Sequence, residues 1–110
     1  MTPPKLLGEL EQLVLLAILQ LENAAYAVPV LSLLESRAGL RLARGSVYVT
    51  LDRMEGKGYL KSWFSDPTPE RGGKSKRYFQ VTGPGAEALR RSRAATNRLW
   101  EGVEPALEKL

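Results

Sequence analysis

A 110-residue chain with no cysteine and no histidine has no disulfide framework, no thiolate chemistry and neither the commonest general base nor the usual ligands of a zinc site. Hydrophobic residues at 44% and charged residues at 25% describe one folded domain with a single modest core, not a disordered tail. The net charge of +4 is uneven: Arg44–Val81 holds eight Lys and Arg against four Asp and Glu, while the remainder holds eight of each, so the whole excess forms one focused footprint for an anionic partner or, alternatively, a solubilising surface.

Pro3–Pro4 keep Met1–Lys5 out of regular structure. Leu6–Leu21 reads as a strong helix, because Leu10, Leu13, Val14, Ala17, Ile18 and Leu21 recur at helical spacing. Leu15, Leu16 and Leu19 add a second apolar face. A helix apolar nearly all round is buried on more than one side, and a domain this small has little interior for both faces. A second subunit is therefore expected over one face, the alternative being a central core helix in a monomer. The longest apolar run, Leu13–Leu19, is far shorter than the roughly 20 residues that span a bilayer. With no basic region and cleavage site at the start, a cytoplasmic location is expected.

A short turn over Ala24–Ala27 leads to a second helix over about Ala27–Arg37, with Pro29 in its first turn and Gly39 as its stop. After a connector holding Leu40 and Leu42, a third helix begins near Arg44. Ser46 is its expected N-cap, and Gly56 and Gly58 stop it. Val47, Leu51 and Met54 make its apolar face; Ser46, Val49, Thr50, Arg53 and Lys57 fall opposite. That outer face is small, polar and basic, as suits a helix lying in a DNA groove. The alternative is an amphipathic helix with a solvated basic face. Two helices joined by a short link, the second basic on the outside, make a helix-turn-helix.

The period then changes to two. Tyr59–Ser65 places Leu60, Ser62 and Phe64 on one side and Lys61 and Trp63 on the other; Lys76–Thr82 places Arg77, Phe79 and Val81 opposite Tyr78 and Gln80. The turn-forming stretch Asp66–Ser75 between them makes a hairpin. Its tip and second strand carry Arg71, Lys74, Lys76 and Arg77 beside Gly72–Gly73, which suits a loop that lies along a phosphate backbone or probes a minor groove. Behind a helix-turn-helix such a hairpin is the wing of a winged helix rather than a solvated tip.

Thr82 or Gly83 caps the last helix and Pro84 sits in its first turn. Leu89, Thr96, Val103 and Leu110 recur every seven residues, Ser92, Leu99 and Ala106 fill the other seam position, and Trp100 and Leu107 widen it. Such a repeat on a protruding helix predicts packing on a partner. Pro105 opposes helix at Glu104, so a kink or a break near Gly102 is expected. Ser92 and Thr96 weaken the seam, so the dimer must also draw on the first helix. The expected fold class is α+β, mostly α: residues 1–82 form a winged helix-turn-helix with three helices and a two-stranded wing, and residues 83–110 a C-terminal dimerisation helix.

Four blocks resemble the PadR-like regulators of phenolic-acid and multidrug stress responses. They are Gly8–Leu19, Ala25-Tyr-Ala, Gly45–Leu60 and Pro69–Thr82. Together with a fitting C-terminal helix they are similar to the short subfamily with one such helix. Ala27 departs from the family, which has glycine after the residue matching Tyr26. The resemblance implies a bacterial dimeric winged-helix repressor that contacts DNA through Ser46, Tyr48, Thr50 and Arg53 and through the wing near Gly73, Lys74 and Lys76. It also implies that Trp100, at the subunit seam, either stacks a flat aromatic effector or is a structural anchor. The full expected DNA-contacting set is Arg44, Ser46, Tyr48, Val49, Thr50, Arg53 and Lys57 with Arg71, Gly73, Lys74 and Lys76. The expected subunit seam is Leu15, Leu19, Leu89, Thr96, Leu99, Trp100, Val103 and Leu107. No metal or cofactor is expected. Asp66 and Glu70 lack a positioned partner for catalysis, so the chain is not expected to be an enzyme. The alternative function is a winged-helix module for protein contact alone.

Overall fold

The structure is a computed structural model that describes residues 5–66 and 75–110. Its elements are α1 (Glu9–Gln20), α2 (Ala27–Ala38), α3 (Arg44–Gly56), β1 (Leu60–Phe64), β2 (Arg77–Val81), α4 (Gly83–Trp100) and α5 (Glu104–Glu108).

Local chemistry sets most of these boundaries. The Gly8 N–H donates to Glu11 Oε1 at 2.7 Å, so a first-turn carboxylate satisfies the start of α1. Glu22 and Asn23 close α1 in the left-handed conformation, and Asn23 then pins the far edge of the hairpin: the Val81 N–H donates to its Oδ1 at 2.8 Å. Gly39, at φ +69°, ends α2. Of the two expected caps of α4, Thr82 is the one used: it accepts from the Gly85 N–H at 3.2 Å and donates to the Gly58 carbonyl at 2.7 Å. One expected cap is not used. Residue Ala43 is the N-cap of α3, and Ser46 sits inside its first turn with its N–H donating to the Ala43 carbonyl.

The strands pair antiparallel, with Leu60 opposite Val81, Ser62 opposite Phe79 and Phe64 opposite Arg77. Ala25 adds a single bridge to Phe79, with mutual backbone bonds of 3.2 and 2.7 Å. The expected turn at Ala24–Ala27 thus doubles as a third, one-residue strand that anchors the wing to the start of α2.

The core gathers Val14, Leu15 and Ile18 of α1, Val30 and Leu34 of α2, Val47, Leu51 and Met54 of α3, Leu60, Phe79 and Val81 of the hairpin, and Ala88 of α4. Each large side chain buried here is worth about 1.5–3 kcal/mol of transfer free energy. Leu15 is 0% exposed within its own chain, so the expectation that it meets a partner subunit is corrected. It belongs to the intrachain core because α2, α3 and the hairpin together close over more of α1 than one apolar stripe. Ser92, placed at the seam by the seven-residue repeat, also faces inward: it is 1% exposed and its Oγ accepts from the Leu7 N–H at 3.0 Å. Gly85 is required by space. A Cβ there would stand 2.3 Å from the Tyr59 carbonyl oxygen, so α4 can start against the wing base only with no side chain at that point.

Beyond Ser92, α4 leaves the core. The radius of gyration is 16.5 Å, against about 13 Å for a compact chain of this length. The expected break is present: α4 stops at Trp100, Gly102 takes φ +76°, and α5 restarts with Pro105 in its first turn. Three helices, a short link and an antiparallel hairpin packed behind them form a winged helix, extended by the α4 arm.

Candidate nucleic-acid interface

One side of α3 is free of the core. Arg44, Ser46, Tyr48, Val49, Asp52, Arg53 and Lys57 are all exposed, while Val47, Thr50, Leu51 and Met54 are buried. Thr50 was expected outside and is instead 3% exposed, with its hydroxyl donating to the Ser46 carbonyl at 2.8 Å. It sits beside Val47 and Leu51 on the helix circumference, and donating back along the helix satisfies its hydroxyl without water. Thr50 therefore cannot reach DNA from this position. Tyr48 and Val49, at 45% and 56% exposed, take its place on the outer face.

The cations of this surface are less free than their count in the sequence implies. Glu11 of α1 faces Arg53 at 3.8 Å and Lys57 at 3.6 Å. Arg77 of β2 pairs with Asp52 at 2.9 Å and Glu55 at 2.6 Å. Burial works against the Arg77 charge, but hydrogen bonds and attraction from Glu55 and Asp52 outweigh it and raise its pKa. Its guanidinium stays charged at any accessible pH. Among the described residues of this segment, Arg44, Lys61 and Lys76 make no ion pair. Arg71, Gly73 and Lys74 lie outside the described residues.

Lys76 instead rides over an aromatic row. Its Nζ is 5.5 Å from the centre of the Tyr26 ring. Tyr26 meets Tyr78 edge-on at 5.4 Å, and Tyr78 stacks on Trp63 at 6.0 Å. The Trp63–Tyr78 pair follows from the strand register, which sets them directly opposite. Tyr48 of α3, with Tyr26, Val28 and Lys76, lines a cleft of about 260 Å³ between α2, α3 and β2. Arg44, Ser46, Tyr48, Val49, Arg53 and Lys57 thus share the exposed side of α3 and its C-terminal end, and Lys76 joins Tyr48 at the cleft beside it.

Sequence reasoning missed Glu11 and misplaced Arg77, which it set with Arg71, Lys74 and Lys76 against a phosphate backbone and which the structure holds on Asp52 and Glu55 instead. For Arg77 the signal was present: it shares a strand face with Phe79 and Val81, which are buried, so its side chain points towards α3 and not into solvent. For Glu11 no signal in the linear pattern relates α1 to α3.

A second surface lies away from α3. Leu16 and Leu19 of α1 are exposed, and with Gln12, Ala86, Leu89 and Thr96 they line an apolar groove of about 520 Å³. At the end of the arm, Leu99 is 79% exposed, Trp100 54% and Leu107 44%, and with Val103 they line a smaller concavity. The described residues hold no group of acidic side chains arranged for a metal ion, and no described helix is long and apolar enough to cross a membrane.

The chain matches the model of the PadR-like family of transcriptional regulators over residues 15–91. Among solved structures, a PadR family transcriptional regulator from Eggerthella lenta is 29% identical and superimposes with a TM-score of 0.71, covering 93% of this chain and 88% of that one. A PadR-like transcription factor from Bacteroides fragilis is 27% identical at a TM-score of 0.74, over 90% of each chain. A PadR family regulator from Clostridium difficile shares the fold at a TM-score of 0.75 over 91% of this chain and 99% of that one, with 21% identity. No curated protein sequence matches. The family is one of transcription regulators and not of enzymes, and a match over most of the chain, on a helix-turn-helix with its wing in place, makes this protein a member of the PadR-like family of transcriptional regulators.

Proposed function

We propose that the protein is a homodimeric repressor that sets two copies of α3 into successive major grooves of an inverted-repeat operator, roughly 34 Å apart. The observation that carries this reading is the outer face of α3: side chains of small to moderate size, flanked by Arg44, Arg53 and Lys57, stand clear of the core beside the wing. Ser46, Tyr48, Val49 and Arg53 meet base edges or phosphates, and Lys57 and Lys76 meet phosphates. Residues 1–82 act as the DNA-binding unit and 83–110 as the dimerisation arm, in the cytoplasm.

The dimer is supported by the apolar surface left open by one chain. Leu16, Leu19, Leu89 and Thr96 form a concave strip, and Leu99, Trp100, Val103 and Leu107 form an exposed end on an arm that projects from the domain. Contiguous apolar surface of this kind marks an interaction site. Trp100 then sits at the seam, where it anchors the partner or stacks a small aromatic inducer. An inducer bound there shifts the population of dimer geometries and so the spacing of the two recognition helices.

The ion pairs that occupy Arg53, Lys57 and Arg77 favour one competing reading, a winged helix used for protein contact alone. Retention on heparin and on random duplex DNA separates the two. A DNA-binding dimer is retained and elutes with rising salt, because phosphate contacts release counterions. Elution in the void volume at low salt refutes the DNA-binding reading.

A further inference from the structure

We propose that Arg77 is a positioning residue for DNA recognition, acting through α3 and not on DNA itself. This rests on the DNA-binding reading above. Its guanidinium donates from Nη1 to Asp52 Oδ1 at 2.9 Å, from Nη2 to Glu55 Oε1 at 2.6 Å and from Nε to Ser62 Oγ at 3.2 Å. The group lies over the Phe79 ring at 4.8 Å. All three nitrogens of the planar fork are therefore committed, to one acceptor on β1 and two on α3. Only two of the five guanidinium N–H groups remain, one on each Nη, and a phosphate reaching them would sit beside two carboxylates that repel it.

Placement gives the contact its consequence. Asp52 comes three residues after Val49 and four after Tyr48, so the three are neighbours on the helix surface. Asp52 stands in the middle of the exposed face of α3. A carboxylate left to itself there repels phosphate. The guanidinium turns both Asp52 and Glu55 towards β2 and, in doing so, fixes the wing base against the centre of α3. The angle between the helix in the major groove and the strand leading to the wing is thereby held. Two ion pairs sharing one fork reach across elements that a single lysine ammonium cannot bridge in the same way.

The test uses Arg77→Lys and Arg77→Met in the full chain, each checked for folding by circular dichroism. Arg77→Lys keeps the charge and removes the fork. Affinities are measured for a selected operator and a random duplex over a salt series. If Arg77 positions α3, both variants lose roughly tenfold in operator affinity, lose less than about threefold on random duplex, and keep the salt slope of the wild type. If Arg77 grips a phosphate, Arg77→Met weakens both duplexes equally and lowers the slope by about 0.9 per subunit, while Arg77→Lys changes little; that result overturns the proposal. Amide exchange in the free protein separates this from failure of the DNA reading. Both variants should speed exchange in β1 and β2 and leave α1 unchanged. Unchanged exchange in the hairpin refutes the tether even where DNA binding stands. Faster exchange in a protein that prefers no duplex refutes DNA recognition and leaves the tether in place.

Discussion

Glu11→Gln is predicted to tighten operator binding at almost no cost in stability. Glu11 Oε2 is 3.8 Å from the Arg53 guanidinium and 3.6 Å from Lys57 Nζ. Both cations are about half exposed, and wide pairs of this kind contribute between zero and about 1 kcal/mol each. The glutamine keeps an oxygen to accept from the Gly8 N–H, so the start of α1 is preserved. On DNA the same carboxylate is a liability. A phosphate held by Arg53 lies on the order of 7 Å from the Glu11 charge, where repulsion in water amounts to about 0.6 kcal/mol before salt screening. With roughly half of that left after screening at 0.1 M salt, about 0.3 kcal/mol in each of two subunits, the gain is near 0.6 kcal/mol, or roughly threefold in affinity. Fluorescence anisotropy of a labelled operator at fixed salt, with the melting temperature measured in parallel, reads both quantities. Equal or weaker binding by a variant that melts within a few degrees of the wild type means that Arg53 and Lys57 do not face DNA.

Three further outcomes follow from the same geometry. Arg53→Ala should weaken operator binding by roughly 1–3 kcal/mol if the side chain reads a base; an electrophoretic titration in which mutant and wild type bind equally removes Arg53 from the interface. Leu15→Ala and Leu19→Asp should behave oppositely. The first empties a buried site and costs about 2–5 kcal/mol in denaturant unfolding; the second places a charge on an exposed seam residue and yields folded monomers by sedimentation, and a stable Leu19→Asp dimer contradicts the proposed seam. Gly85→Ala should cost about 1–3 kcal/mol or more, because its methyl meets the Tyr59 carbonyl and forces the start of α4 off the wing; an unchanged unfolding midpoint means that the close approach is not maintained in solution.

Much of this architecture was legible in the linear pattern because helical and strand periods carry the side-chain directions with them. The three helices, the two strands of the hairpin, a cap at Thr82 or Gly83 and the break near Gly102 all follow from spacing and from residues whose backbone preferences are strong. Periodicity failed where a residue lies on the border of a face. Thr50 is adjacent to both halves of α3, and a hydroxyl that closes on the Ser46 carbonyl tolerates burial. Leu15 and Ser92 failed for another reason: burial within a chain and burial between chains have the same apolar signature, and only the tertiary packing of α2, α3 and α4 separates them. The cation count misled most. Adding charges along Arg44–Val81 treats them as independent, whereas folding brings Glu11 to Arg53 and Lys57, and Asp52 and Glu55 to Arg77. Three of the segment's basic residues are thus partly neutralised before any ligand arrives.

Repeated selection of the purified protein on a pool of random duplexes, followed by sequencing, decides whether two copies of α3 read DNA together. The expected result is enrichment of a two-fold symmetric site whose halves are centred roughly 10 base pairs or a multiple apart, as two copies of α3 on a dimer require. A pool that stays random, or one that enriches a single half-site with no symmetry, contradicts it.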